Sequence, residues 1–484
     1  MSKILEGLEP KGVFTYFEAI SDIPRGSGNE QAISDYLVNF AKERHLEVIQ
    51  DKALNVIIKK PGTGGLEHAP IVILQGHMDM VNEKNFDTVH DFLKDPLRLV
   101  VNGDFISAEG TTLGADNGIA VAYCLALLDA QDIPHPPMEV VITTDEEAGM
   151  TGASALDTSP IQGKYLINMD SEEEGEFTVS CAGGLKASIS IPAVWEEAEG
   201  NVLKVMVKGL KGGHSGTEID KCRGNSNRIL GRILYALKTE IDLKIIDVFG
   251  GSKDNAIPRE AYAHLVVKGN QLDAAKAILD NITKSIQHEY KTSDTGLVVE
   301  LTEPNIEHVK TLAQGSTDNL IFLLLNLPNG IQTMSADIDG LVESSLNLGV
   351  IHTNEERVKI TFAVRSSVGS LKTLISNQLL TLAEKCDAKY SVTGAYPEWE
   401  YRKESKLRDI FIKTYEEKYG KKPLVNAIHA GLECGIFDEK IEGLDMVALG
   451  PNMFDVHTPD ERLSISSTRR VWEFLLDVLK NIHD

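Results

Sequence analysis

Cysteine is scarce in this chain. There are five in 484 residues, at Cys124, Cys181, Cys222, Cys386 and Cys434, an odd number without CxxC spacing. That pattern argues against a disulfide framework and for a reducing compartment. Long apolar runs are missing too. No stretch approaches the roughly 20 apolar residues of a membrane-spanning helix, and the opening MSKILEGLEPKGVF lacks the apolar core of a secretory signal. Positive charge is the third shortage: 48 Lys and Arg face 72 Asp and Glu, a formal net charge of −24. Nucleic acid, whose phosphates need a basic surface, is a poor partner for such a chain, and so is an anionic membrane. The expectation is a cytoplasmic protein with neither partner.

What the chain does have is core material, 42% hydrophobic against 25% charged, and length for about three domain-sized units. Phe14, Phe17 and Ile20 make one helical stripe, and Ile33, Tyr36, Leu37 and Phe40 make another, with Pro24-Arg25-Gly26-Ser27-Gly28 as a break between them. Short, fully apolar strands follow at 46–50, 54–59, 70–75, 138–143 and 164–169, with a helix beginning near Asp116. Such alternation predicts an α/β layer, a mixed sheet between helices. Past Cys181-Ala182-Gly183-Gly184 the strands lengthen and alternate. Two runs there, one around helices 225–238 and 272–287 and one around helix 370–386, look like loose copies of an open-faced α+β unit. After Ala395-Tyr396-Pro397 the α/β pattern returns, with helices 403–419, 431–438 and 466–482 and a strand at 444–449. The predicted organisation is one α/β domain built from 1–185 and 396–484, with an α+β domain, 186–395, inserted into it.

Polar residues collect where the apolar strands end. The run Ile71–Met80 presents His77 and Asp79, two apart and therefore on one face of an extended chain. Asp116 lies where a loop enters a helix, Glu146 and Glu147 follow the strand Val140–Thr144, and Asp170 follows Tyr165–Met169. His457 lies in the loop beyond strand 444–449. Open α/β sheets place their sites outside the carboxyl ends of the strands. Two His and three carboxylates exceed the needs of one catalytic zinc, but they suit two divalent ions if one carboxylate bridges. Four positive charges against the three of Asp116, Glu147 and Asp170 leave room for a bridging hydroxide. That accounting frees Glu146 to move the proton of a bridging water and Asp79 to buttress His77.

Taken in order, His77-Met78-Asp79, Gly114-Ala115-Asp116-Asn117-Gly118, Thr144-Asp145-Glu146-Glu147, Asp170 and His457-Thr458-Pro459-Asp460-Glu461 resemble the aminoacylase/carboxypeptidase family of co-catalytic zinc metallopeptidases. The stretches His429–Gly435 and Gly450–Met453 resemble its dipeptidase members. The resemblance implies a zinc-peptidase-like catalytic domain and an inserted lid used for closure or dimerisation, hence a homodimer. It implies one metal on His77, Asp116 and Asp170 and a second on Asp116, Glu147 and His457, with Asp116 bridging. Glu146 becomes the general base and Asp79 the supporting catalytic acid. Zinc is the implied metal, and His with carboxylates also accepts cobalt or manganese. In the lid, His214 resembles the family His that polarises the scissile carbonyl. Asn255 resembles a substrate-binding Asn, and Arg365 ends an apolar strand where a guanidinium fits a peptide carboxylate. His429 joins the substrate-binding set. The implied activity is hydrolysis of dipeptides with a free amino terminus, Xaa-His included. The alternatives are an N-acyl amino acid deacylase or desuccinylase, and a non-catalytic metal- or peptide-binding protein. Glu172-Glu173-Glu174 is expected to be a solvated loop.

Overall fold

The structure, a computed structural model, describes residues 4–304 and 309–483. These form two compact units. The first runs to Ser180 and resumes over Tyr401–Ala427 and from Leu432 onward; the second comprises Cys181–Glu400 and Ile428–Gly431. Against the sequence expectation, the divisions fall at 180/181 and 400/401, and the short piece carrying His429 groups with the second unit.

The first unit is built on an eight-stranded sheet whose middle is parallel. Val72–His77 runs parallel to Met138–Thr143 on one side and to Tyr165–Asn168 on the other. Asp445–Ala448 continues the parallel set beyond Tyr165–Asn168. Val56–Lys60 and Glu47–Gln50 extend it antiparallel. Every residue of Val72–His77 and Met138–Thr143 is buried, which is why both read as mostly apolar segments rather than alternating ones. The predicted stripes are the core contacts of their helices: Phe14, Phe17 and Ile20 on Lys11–Ser21, and Ile33, Leu37 and Phe40 on Gln31–Glu43. Helix Ala115–Asp129 is buried all round, as its lack of a polar face demands. A small four-stranded sheet went unread. It joins Leu99–Asn102, Phe105–Ala108, Arg462–Ser464 and Met453–Phe454. Its strands are four residues or fewer, too short to show a period.

In the second unit the two runs do not close into separate sheets. They share one nine-stranded antiparallel sheet, joined where Phe249 and Gly250 face His352 and Ile351. Helices Ser226–Lys238, Leu272–Glu289, Gln314–Asn326 and Gly369–Lys385 contribute to its apolar core. Gln314–Asn326 shows no clear stripe in the sequence because its less buried side carries the apolar Phe322 and Leu325. Among the described residues no helix is long and apolar enough to cross a membrane.

Candidate active site

Three loops leave the carboxyl ends of neighbouring strands, a fourth segment leads into helix Ala115–Asp129, and a hairpin joins them. His77 is the last residue of Val72–His77 and is 1% exposed. Its ring is held from behind, with Nδ1 3.3 Å from Asp79 Oδ1 and 3.2 Å from the Asp79 carbonyl. A proton on Nδ1 suits those acceptors and leaves the Nε2 lone pair facing Asp116 Oδ1 at 3.3 Å and Asp170 Oδ1 at 3.6 Å. The other oxygen of Asp116, Oδ2, lies 3.1 Å from His457 Nε2, which is also 2.9 Å from Glu147 Oε1. Asp116 thus turns one oxygen toward each His. The donor atoms of His77, Asp116 and Asp170 lie within 4.8 Å of one another, as do those of Asp116, Glu147 and His457, and those of His77, Glu146 and Glu147.

Asp79 does more than brace an imidazole. Fully buried, it also accepts from Ser27 Oγ (2.8 Å) and from the backbone N–H groups of Glu146 (3.1 Å) and Glu147 (3.3 Å), so one carboxylate sets the loop carrying both glutamates. Burial alone would raise its pKa; the His77, Ser27 and Glu146 contacts outweigh burial and hold it below the ordinary carboxylate range. The segment read merely as a break, Pro24–Gly28, supplies that Ser27 and, beside it, Arg25.

Asn117 is the brace under Asp116. Its side-chain oxygen accepts from His77 N (3.1 Å) and its amide donates to the Met169 carbonyl (2.8 Å), tying three ligand-bearing segments together. Gly76 makes room for it: a Cβ there would stand 2.4 Å from Asn117 Oδ1 and 2.6 Å from the Ala120 methyl. The helix begins near Asp116 as expected, with Asp116 and Asn117 themselves in non-helical backbone. Below the sheet ends, buried Glu433 accepts from Gln75 Nε2 and Thr143 Oγ1, both at 2.6 Å. Gln75 in turn accepts from Asn168 (2.6 Å), whose side-chain oxygen receives Asp170 N (3.2 Å). Sequence reasoning missed Asn117, Gln75 and Glu433 as supports, because nothing in a one-dimensional pattern separates an interior amide that braces from one that turns a loop.

The electrostatics are those of carboxylates crowded beyond what the chain neutralises. Burial first, then Asp170, Glu433 and Glu147, push Glu146 up to about 9 against the pull of His77. Burial pushes Asp170 up to about 6 and Glu433 up to about 7. Hydrogen bonds to Asp116 and Glu147 push His457 up to about 11. Asp116 Oδ1 is buried without a hydrogen-bond partner. Imidazole nitrogens with converging carboxylates, one oxygen of which lacks a donor, are a donor set that fits divalent cations. Glu172 and Glu173 are exposed as expected. Glu174 is not, for it makes a two-pronged pair with Arg470 at 2.6 Å on both arms.

The second unit brings three of the four expected substrate residues together. His214 lies on a two-residue strand paired with Ala256–Ile257, which sets Asn255 beside it, exposed at the tip. His214 Nδ1 accepts from the N–H groups of Gly216 (3.3 Å) and Thr217 (3.1 Å), so the ring proton belongs on Nε2 as a donor. Burial and the Arg365 charge lower the pKa of the ring. Arg365 faces Ser345 across adjacent strands, and Ser345 Oγ is 2.7 Å from His429 Nε2. Gly216 sits among them: a Cβ there would stand 2.7 Å from the His429 carbonyl, 3.0 Å from His214 and 3.1 Å from Arg365 Nε. Arg365 Nε and Ser215 Oγ are buried with no partner, and Arg365 Nη1 donates to Tyr396 Oη at 2.9 Å. Unspent donors around a guanidinium make a receptor for a carboxylate. Tyr396 and Ser345 were not singled out in the sequence, being an ordinary aromatic and an ordinary strand serine until Arg365 and His429 are set beside them.

Comparison with known proteins places this geometry. A model described as peptidase family M20/M25/M40 matches residues 73–481. The chain is 39% identical over 485 residues to the cytosol non-specific dipeptidase of Escherichia coli, with 99% of each chain covered. The crystal structure of aminoacylhistidine dipeptidase from Vibrio alginolyticus matches with a TM-score of 0.94 at 39% identity, over 99% of this chain and 98% of that one. The aminopeptidase PepT of Bacillus cereus shares the fold at 15% identity and a TM-score of 0.57, over 99% and 100% of the two chains. The resemblance and the fold class read from the ordered motifs are borne out.

Proposed function

Because the chain belongs to peptidase family M20/M25/M40, matched over residues 73–481, we propose that it is a metal-dependent dipeptidase acting on dipeptides with a free amino terminus, Xaa-His among them. The observation that carries the reading is the split of Asp116, one oxygen toward His77 and one toward His457, with Glu146 left beside them. His77, Asp116 and Asp170 would hold one divalent ion and Asp116, Glu147 and His457 another, with zinc the first choice and cobalt or manganese also suited to the donors. Bound there, such ions supply Lewis-acid polarisation of the peptide carbonyl and acidify a water.

The chain's own groups do the rest. Glu146 takes the proton of the attacking water and returns it to the leaving amine; burial and the neighbouring carboxylates raise its pKa, and cations held beside it would draw that pKa back down. Asp79 fixes the His77 tautomer and the Glu146 loop. His214, with its proton on Nε2, donates to the developing oxyanion. Recognition of the peptide's carboxylate end is assigned to Arg365 and His429, with Asn255 as a further polar contact. The second unit is assigned the lid or dimerisation role, and the protein is proposed to be a homodimer, which light scattering tests.

The names of the two relatives at 39% identity support this substrate class over the acylated alternative. The deciding experiment compares the metal-reconstituted protein on Xaa-His and other dipeptides with N-acetyl and N-succinyl amino acids. Selective turnover of dipeptides is expected. Turnover of the acylated substrates alone would replace this reading with the deacylase, and metal binding without turnover of either class would replace it with a binding protein.

A further inference from the structure

The trio Asp116, Glu147 and His457 draws on segments separated by more than 300 positions, and His457 is its least secure member. Its side chain is 46% exposed, its backbone is left-handed (φ 63°), and it hangs from the hairpin between Met453–Phe454 and Arg462–Ser464. That hairpin turn is fastened to the Asp116 loop by one side chain, Glu461. Its Oε2 accepts from Leu113 N (2.7 Å) and Gly114 N (2.9 Å), and its Oε1 from Ala115 N (2.8 Å) and Asp116 N (3.3 Å). Successive N–H groups converging on one point make an anion receptor, and here the anion belongs to the chain itself. The turn closes through Glu461 N donating to the Thr458 carbonyl (3.1 Å), one residue beyond His457.

The other side of the loop is held by a cation. Arg25 donates through Nη2 to the Gly114 carbonyl (2.5 Å) and through Nη1 to the carbonyls of Met78 (3.0 Å) and Asp79 (3.3 Å). Arg25 and Glu461 are each 2% exposed. Gly114 and Gly118 are where the guanidinium lies against the backbone, since a Cβ at either would stand within 2.6 Å of Arg25 Nη2. By contrast the first trio has supports of its own. His77 is set by its strand, by Asn117 and by Asp79, and Asp170 by its strand end and Asn168.

We infer that Glu461 is a positioning residue that fixes His457 against Asp116, and so sets the affinity of the Asp116–Glu147–His457 trio for its ion; the His77–Asp116–Asp170 trio shares Asp116 but keeps its other two ligands on their own supports, and so loses less. This rests on the dinuclear reading above. The test is metal binding by the full chain, stripped with a chelator and titrated with Zn2+ by calorimetry, comparing wild type with Glu461→Gln. His457→Ala identifies which equivalent belongs to the second trio. Gln keeps the shape but turns an amide NH2 toward backbone donors. In Glu461→Gln one equivalent is expected to bind within about threefold of wild type and the other about 10- to 100-fold more weakly, the usual range for a ligand's supporting partner. Turnover should recover in excess Zn2+. Wild-type affinity for both equivalents, or equal weakening of both, overturns the inference. If Glu461→Gln does not reach the wild-type circular dichroism spectrum, Glu461→Asp, which keeps the charge and shortens the reach, carries the same comparison and the same criterion. A wild-type chain that takes up only one ion would instead sink the dinuclear reading, a result separable from any behaviour of the variants.

Discussion

Glu146 and Glu147 are adjacent, chemically identical and fixed by the same Asp79 carboxylate, yet they are given different work. The division follows from direction. Glu147 meets His457 at 2.9 Å, whereas Glu146 faces inward among Asp170, Glu433 and His77, where burial and like charge favour its protonated form. Glu146→Gln should therefore keep its metal content while kcat falls by about 10²- to 10⁴-fold, the range for removing a general base. Metal analysis beside the rate is the check, and loss of an ion would make Glu146 a ligand, as its nearness to His77 and Glu147 permits. His429 allows a pH prediction. Burial, then the Arg365 charge, lower its pKa from 6.5 to about 4. Between those values the unfolded chain binds a proton that the folded one refuses. Its contribution to stability is complete above about pH 6.5 and is lost on acidification toward pH 4, by about 1.4 kcal/mol per pH unit. Glu at this position would confuse charge with shape, so His429→Gln is the variant: its stability should fall less steeply than wild type over that window in urea titrations. Parallel curves would show that the proton goes elsewhere. At this scale the ligand types were legible, because His and carboxylates at strand ends have few other reasons to recur. The supports were not. Asn117, Arg25 and Glu461 act through backbone groups that leave no mark on the sequence.

At the scale of elements, the loops carry the chemistry, but the close approach of a helix to a strand holds them in place. Helix Ala115–Asp129 lies directly on Val72–His77 because position 76 has no side chain. Gly76→Ala would force a methyl against Asn117 and Ala120. Overpacking of this kind costs about 1–3 kcal/mol, and the displaced Asn117 would release His77 N and the Met169 carbonyl together. A lower Tm accompanied by weaker metal binding is expected. Asn117→Ala, which creates space instead of a clash, should weaken metal binding in the same direction at about 1–3 kcal/mol of stability for the unsatisfied groups. If Gly76→Ala lowers Tm and leaves metal affinity alone, strand and helix are packed independently of the site. The apolar strands and helices of this unit were legible because each is buried on both sides or along a clear stripe. The four-stranded sheet bearing the His457 hairpin was not, since two or three residues in register at Met453–Phe454 and Arg462–Ser464 show no alternation to read. That is why His457, expected in the loop beyond strand 444–449, lies there on a hairpin the sequence does not mark.

The molecule as a whole divides its charge problem unevenly. The first unit gathers Asp79, Asp116, Glu146, Glu147, Asp170 and Glu433 in one region, with Arg25 as a buried cation beside them. The second unit gathers donor groups, Arg365, His214 and His429, with Glu218 bonded to the His214 backbone. Divalent ions should therefore stabilise the two units to different extents. An ion present at a hundred times its dissociation constant stabilises the folded state by about 2.7 kcal/mol per site. Chelation should remove that, lowering the thermal midpoint by several degrees, and Zn2+, Co2+ or Mn2+ should restore it. Hydrogen exchange locates the effect. On stripping, protection should fall in Val72–His77, Met138–Thr143 and the loops after them, whose open ends carry the crowded carboxylates. Protection in Arg357–Ser366 and Val342–Thr353, long paired strands of the other sheet, should hold. A uniform loss of protection across both units would mean that the ions stabilise one cooperative structure, and the second unit's cradle would then depend on the metal centre for its shape.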